Sequence, residues 1–139
     1  MATLHVDIVS AEKELYSGEA AMIIAPALEG DVGILPRHTP LMTRLRPGEV
    51  RLQMPGEEPE LSIYVSGGLL EVQPHMVTVL SDTAIRAKDL DEKAILEAKQ
   101  RAEEQLSSNN TDIDFAHARA ELTAAAAQLA LLRRLKKSA

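Results

Sequence analysis

The sequence predicts an all-β N-terminal antiparallel sandwich followed by a C-terminal antiparallel α-helical hairpin. Three observations carry that expectation. Apolar and polar residues alternate at period two through the first 86 positions, the mark of strands with one buried and one wet face. All 7 Gly and all 7 Pro lie before residue 76, so turn punctuation stops where the second unit begins. Further on, apolar residues recur at spacings of three and four, the period of one helix face.

In chain order, Leu4, Val6 and Ile8 alternate with His5 and Asp7. Val50, Leu52 and Met54 alternate with Glu49, Arg51 and Gln53, and Leu61, Ile63 and Val65 with Ser62 and Tyr64. Leu70 and Val72 flank Glu71; Val77 and Val79 flank Thr78. Ser17-Gly18, Pro47-Gly48, Pro55-Gly56, Gly67-Gly68 and Pro74 are read as the turns between strands. About 85 residues can close such a sandwich around one core, with modest stability.

Asp89 reads as a helix N-cap, with Glu92 three residues on completing a capping box, so the first helix spans residues 90–106. Residues 107–111, Ser-Ser-Asn-Asn-Thr, form a polar loop. Asp112 reads as the second N-cap, and the second helix runs to Lys136. Its seam is Phe115, Ala118, Leu122, Ala125, Leu129 and Leu132, facing Ile95, Ala98, Ala102 and Leu106. At about 25 cal/mol per Å2 an alanine seam stabilises far less than a leucine seam. The hairpin is therefore either a movable element or a thin but fixed one. The two units are residues 1–86 and 87–139.

Composition narrows the function. With 15 basic and 21 acidic residues among 139, the net charge of -6 opposes general electrostatic binding to nucleic acid. Tyr16, Tyr64 and Phe115 are the only aromatics, too few for a base-stacking platform. There is no Cys, which removes disulfides, thiolate metal sites and thiol nucleophiles. No apolar run approaches the roughly 18 residues of a membrane span, and the N-terminus lacks the pattern of a signal peptide, so a soluble or peripheral protein is expected. Residues 1–86 hold six basic and twelve acidic side chains, and residues 87–139 nine of each. After Glu121 there is no acid, while Arg133, Arg134, Lys136 and Lys137 cluster near the end. That basic end complements the helix dipole or meets an acidic partner.

No nucleotide-binding, metalloprotease or serine-hydrolase motif is present. His5, His38, His75 and His117 show no ligand spacing. His5 and Asp7 share a strand face, as a dyad or simply as an exposed pair. Glu57 and Glu58 fall in a turn, and Glu103 and Glu104 on a wet helix face. Nothing assembles a nucleophile, a base and an orienting group, so no catalytic residue, metal or cofactor is expected. Residues 30–41 (Gly-Asp-Val-Gly-Ile-Leu-Pro-Arg-His-Thr-Pro-Leu) stand out as a stiff loop, either a rigid connection or a shaped docking loop. By residues alone the chain is a binding module. A freestanding adaptor that recruits a soluble partner through its hairpin is one reading; a small enzyme using His38 with a nearby carboxylate is another.

That loop, together with Ser66-Gly67-Gly68-Leu69-Leu70-Glu71-Val72, Leu80-Ser81-Asp82-Thr83-Ala84 and the opening Val6-Asp7-Ile8-Val9-Ser10-Ala11-Glu12, resembles the epsilon subunit of bacterial rotary proton-translocating ATP synthase, whose mitochondrial equivalent is called delta. The resemblance covers essentially the whole chain. It implies a flattened ten-stranded β-sandwich and a helical hairpin at the foot of the central stalk, on the cytoplasmic face of the bacterial inner membrane. It implies binding to the gamma subunit and the ring of membrane c subunits, turning with the rotor, without catalysis by the chain itself. In bacterial members the hairpin can extend into the catalytic head of alpha and beta subunits and inhibit ATP hydrolysis. By the same resemblance Glu29, Asp31 and His38 fall in or beside the loop facing the c-ring, and Ser10 faces gamma. Arg133, Arg134, Lys136 and Lys137 would meet acidic segments of the catalytic subunits. Some members bind ATP through [IL]-D-x-x-R-A at the start of the first helix. Here Leu90 and Asp91 match, but Ala94 stands for the Arg and Ile95 for the Ala. Lys93 is one residue early and points about 100° away on a helix, so ATP binding is not expected.

Overall fold

Each period-two segment becomes a strand in the computed structural model, which describes residues 2–108 and 111–138. Ten strands form: β1 (Leu4–Ser10), β2 (Glu14–Ala20), β3 (Met22–Ala27), β4 (Gly30–Ile34), β5 (Leu41–Leu45), β6 (Gly48–Gln53), β7 (Leu61–Val65), β8 (Gly68–Val72), β9 (Met76–Ser81) and β10 (Ala84–Arg86). A short 3-10 turn (Ala87–Asp89) leads to α1 (Glu92–Ser107) and α2 (Asp112–Ser138). The chain divides into two compact units, Met1–Ala87 and Lys88–Ala139.

The first unit is a sandwich. One layer has the order β10-β7-β6-β3, with β4 on β3; the other has β5-β8-β9-β1-β2. A single residue pair, Ala27 with Leu45, joins them. At the far edges, the Arg86 guanidinium donates to the Leu15 carbonyl at 2.8 Å. Leu4, Val6, Ile8, Leu70, Val72, Val77 and Val79 point inward from the second layer. They meet Ile23, Ile34, Val50, Leu52, Ile63 and Val65 from the first. These inward residues supply the alternation seen in the sequence.

The structure corrects several expectations. Every ladder is antiparallel except β1 with β9, which is parallel because β1 inserts between β9 and β2. Ser17-Gly18 is no turn: both residues lie within β2, where a register shift at Ile8/Val9 lets Leu15 and Tyr16 both pack toward the core. Ser62 and Tyr64, alternating residues expected to be wet, are buried; Ser62 donates its hydroxyl to Glu49. Residues 30–41 are not one loop, because 30–34 pair with β3 as β4.

In the second unit Asp91, not Asp89, caps α1, its carboxylate accepting from the Ala94 amide. Asp89 closes the preceding 3-10 turn, so the Asp89–Glu92 box does not form. Thr111, not Asp112, caps α2. Its hydroxyl accepts from the Asp114 amide at 3.2 Å and donates to the Asp114 carboxylate at 2.9 Å. Asn109 and Asn110 of the expected polar loop lie outside the described residues. Ile95 packs with Ala125 and Leu129, flanked by Leu90 and Leu132. Ala102 and Ala118 are also buried, but Phe115 at the seam's start is 42 % exposed. The interhelical contact thins toward that end, and the Phe115 ring instead lies under the Arg119 guanidinium.

Candidate functional site

The outward side of the β5-β8-β9-β1-β2 layer is built from the residues out of phase with the core. Strand register arranges them in rows. One row runs Arg44, Leu69, Leu80, Val9. The next runs Met42, Glu71, Thr78, Asp7, Ser17, and the last holds Met76, His5 and Glu19. Met42 is 62 % exposed and Leu80 45 %, and Leu69 and Val9 are half-buried. An apolar band thus crosses a solvated sheet face, the feature that marks a protein-binding surface.

The band opens at each side into a groove. One, of about 650 Å3, lies among Leu28, Asp31, Leu41, Met42, Arg44 and Leu69. The other, of about 290 Å3, is lined by Val9, Ser10, Gly68, Leu69, Leu80 and Asp82. At its wall Gly68 lets β8 approach β9 closely: it has φ +127°, and a Cβ there would sit 1.9 Å from the Leu80 carbonyl oxygen.

Beside the first groove projects the β3–β4 hairpin tip. Ala27 pairs with Gly30, so Leu28 and Glu29 make a two-residue turn. Leu28, Glu29 and Asp31 are exposed, and Arg46 donates to Asp31 Oδ1 at 2.6 Å. His38 is elsewhere. The five residues of β4 carry the chain about 13 Å from the tip. There the Arg37 amide donates to the Pro74 carbonyl at 3.0 Å, with Arg37 itself at φ 68°. His38 Nδ1 lies 2.6 Å from the Thr39 carbonyl. Glu29 and Asp31 therefore occupy one end of the sandwich and His38 the other.

Ser10 lies at the Asp31 end, beside Ser81 and the second groove. Its hydroxyl is used internally, donating to the Lys13 carbonyl and accepting from the Lys13 amide. Toward the opposite end, His5 bridges two acids across the β1–β2 ladder. Nε2 is 2.9 Å from Asp7 Oδ1 and Nδ1 is 3.0 Å from Glu19 Oε2. Ser17 donates to Asp7 and Thr3 to Glu19. The bonds to Glu19 and then to Asp7 raise the His5 pKa above its usual range, and the Ser17 hydroxyl holds Asp7 below its own. The expected alternative of a dyad or an exposed pair thus becomes a five-residue polar cluster, half exposed and without a cleft around it.

In the hairpin, Asp91 is engaged as a cap and Lys136 donates to Glu92 at 2.8 Å. Arg133 and Lys137 are exposed, and Arg134 is half-buried. No group of His, Asp or Glu among the described residues could hold a metal ion, and no helix there is long and apolar enough to cross a membrane.

Sequence reasoning missed Met42, Leu69, Leu80 and Arg46. The first three had a legible signal: each is apolar at the wrong parity for the core, as is Val9. Arg46 had none, since its partners are brought together by chain pairing.

A sandwich with an exposed apolar band, joined to a helical hairpin, has the architecture of a protein-binding subunit. Residues 3–87 match the family described as ATP synthase, Delta/Epsilon chain, beta-sandwich domain, and residues 88–132 match its long alpha-helix domain. The ATP synthase epsilon chain of Halorhodospira halophila is 62 % identical over 139 residues, covering 100 % of this chain and 99 % of the relative. That of Nitrosococcus oceani is 63 % identical over 135 residues, covering 97 % and 96 %. The chain therefore belongs to the ATP synthase epsilon chain family, a family of non-catalytic subunits. The fold recurs in the Euglena gracilis mitochondrial ATP synthase structure (OSCP/F1/c-ring), with a TM-score of 0.85 at 19 % identity over 95 % of this chain and 82 % of that one. It recurs also in the central stalk/c-ring structure of the Tetrahymena thermophila mitochondrial enzyme, with a TM-score of 0.62 at 16 % identity, over 92 % and 95 %.

Proposed function

We propose that this chain is a rotor-stalk subunit of a bacterial proton-translocating ATP synthase. Its sandwich links gamma to the c-ring, and its helical hairpin acts as a brake on ATP hydrolysis. The single observation that carries the reading is the apolar band on one sheet face of an epsilon-family chain, exposed at Leu80 and Met42 and half-buried at Leu69 and Val9. Such a band needs a cover, and gamma is its proposed occupant. Ser10, at the rim of that face, lies within the same contact area. Glu29 and Asp31 on the hairpin tip are proposed to meet the polar rim of the c-ring. His38, at the far end, belongs to a separate contact. Peripheral attachment to the cytoplasmic face of the inner membrane follows from these partners.

The brake is supported by the thin interhelical core of Ile95, Ala125 and Leu129, which costs little to open. Opening releases Lys136 from Glu92, so that it can join the basic end of α2 in meeting acidic segments of the alpha and beta subunits. Ala94 in place of the arginine of ATP-binding members, with Asp91 already capping α1, supports a hairpin that works without bound ATP.

The test uses ATP synthase depleted of this chain. The full chain or a version ending at Ala87 is added back and ATP hydrolysis followed. Both should bind, and only the full chain should suppress hydrolysis. Equal hydrolysis with both bound removes the brake from the reading, and failure of both to bind favours the freestanding adaptor. Met42→Asp with Leu80→Asp should weaken binding to gamma at least tenfold and leave folding intact.

A further inference from the structure

The Arg46 side chain makes an unusual set of contacts for a turn residue. It sits between β5 and β6, its amide donating to the Pro26 carbonyl at 2.9 Å. From there its guanidinium spans the β3–β4 hairpin: Nη1 donates to the Ala27 carbonyl and Nη2 to Asp31 Oδ1. Ala27 and Asp31 flank the Leu28-Glu29 turn on opposite strands. One planar fork therefore fixes both arms of the tip, and with them the direction of the Asp31 carboxylate. Only one carboxylate oxygen is used. No protein group among the described residues bonds Oδ2, and the Asp31 side chain is 53 % exposed.

We propose that Arg46 is a positioning residue, holding Asp31 so that its second carboxylate oxygen is presented to a cationic side chain on the polar rim of the c-ring. The proposal rests on the reading above that the tip meets that ring. A merely electrostatic role for Arg46 has the opposite sign. Its positive charge beside Asp31 repels an incoming cation, so removing it would tighten binding if charge alone mattered. Positioning predicts that removing it weakens binding, because a loosened carboxylate must be ordered on contact. Lysine cannot substitute fully, since one ammonium on a flexible stem does not reproduce a fork to two acceptors.

The experiment titrates labelled full-length chain onto ATP synthase in membrane vesicles depleted of it, and reads the half-saturating concentration. The thermal midpoint of each free variant is measured in parallel. Asp31→Asn keeps an acceptor for Arg46 and removes only the charge; it should raise half-saturation roughly three- to fivefold. Arg46→Ala should raise it by a similar factor, with Arg46→Lys in between. The exchange Asp31→Arg with Arg46→Asp rebuilds the ion pair with reversed outward charge but not the bond to the Ala27 carbonyl. It should recover only part of the midpoint lost in Arg46→Ala and bind no better than Arg46→Ala.

If Asp31→Asn weakens binding and Arg46→Ala does not, or tightens it, the positioning role is overturned and the ring contact stands. If the exchange recovers binding in step with the midpoint, Arg46 is structural only and the proposal is again overturned. If Asp31→Asn leaves binding unchanged, the ring contact at this tip fails and the proposal fails with it.

Discussion

Lys136 Nζ lies 2.8 Å from Glu92 Oε2, so the last turns of α2 are fastened to the first turn of α1 by residues 44 positions apart. The pair closes the open end of the Ile95–Ala125–Leu129 cluster, where an extending hairpin would have to part. It also engages a cation that the sequence marked for an acidic partner, so the two uses compete. Both side chains are well exposed, and such pairs contribute about 0.2–1 kcal/mol. Lys136→Glu should speed amide exchange in the last two turns of α2 about two- to fivefold. Glu92→Lys combined with Lys136→Glu should restore it, and high salt should mimic the single variant. Unchanged exchange in Lys136→Glu would mean that the pair holds nothing.

The His5 cluster makes the β1–β2 edge pH-dependent. His5 titrates above its ordinary 6.5 when folded, so its stabilising contribution is complete below that pH and is lost as pH rises through the raised value. Asp7 and Glu19 titrate below their ordinary 3.8 and 4.5, and their contributions are lost as pH falls through the lowered values. The cluster is strongest between pH 4.5 and 6.5. Because His5 is substantially exposed, solvent screening keeps the effect small. His5→Asn should lower the melting temperature by about 1–3 °C at pH 6 and by less at pH 9. A larger loss at pH 9 would assign the neutral imidazole, not the imidazolium, to the folded cluster.

Gly68→Ala tests how tightly β8 approaches β9. The new methyl would meet the Leu80 carbonyl at 1.9 Å, from a backbone with φ +127°. Backbone has to move to relieve that contact, and the strained conformation adds to the cost. A loss of about 3 kcal/mol in unfolding free energy is expected. Gly30→Ala shares a left-handed φ of +145° but meets nothing, so it should cost less, about 1 kcal/mol. Equal losses in urea titrations would show that the close approach is not what requires glycine at 68.

The legibility of this chain followed burial. Leu4, Val6, Ile8, Val77 and Val79 advertised their strands because one face is dry and the other largely wet. β3 was silent: Met-Ile-Ile-Ala-Pro-Ala has no alternation, because both of its faces are largely covered. β4 was hidden by its glycines, which read as loop until pairing with β3 gives them register. The helix caps slipped because Asp89, Asp91, Thr111 and Asp112 all favour caps, and only local backbone geometry chooses among them. At the candidate site, Asp31 was legible through family resemblance, while its tie to Arg46 depends on a turn fifteen residues away.

The hairpin's stability rests on Ile95 more than on any other side chain of α1. Among the residues of that helix only Ile95 and Ala102 are buried, and Ala102 contributes a single methyl. Ile95→Ala removes the transfer free energy of three carbons and leaves a cavity against Ala125 and Leu129, which lack the bulk to fill it. The expected cost is about 2 kcal/mol, equivalent to amide exchange roughly 30-fold faster throughout α1 and α2. Ile95→Leu, which keeps the volume, should cost less than 1.5 kcal/mol. Amides of Val6, Ile63 and Val79 in the sandwich core should keep wild-type protection, because they belong to the other compact unit. Their acceleration by the same factor would mean that the two units open together. A brake that moves while its anchor stays folded would then be excluded.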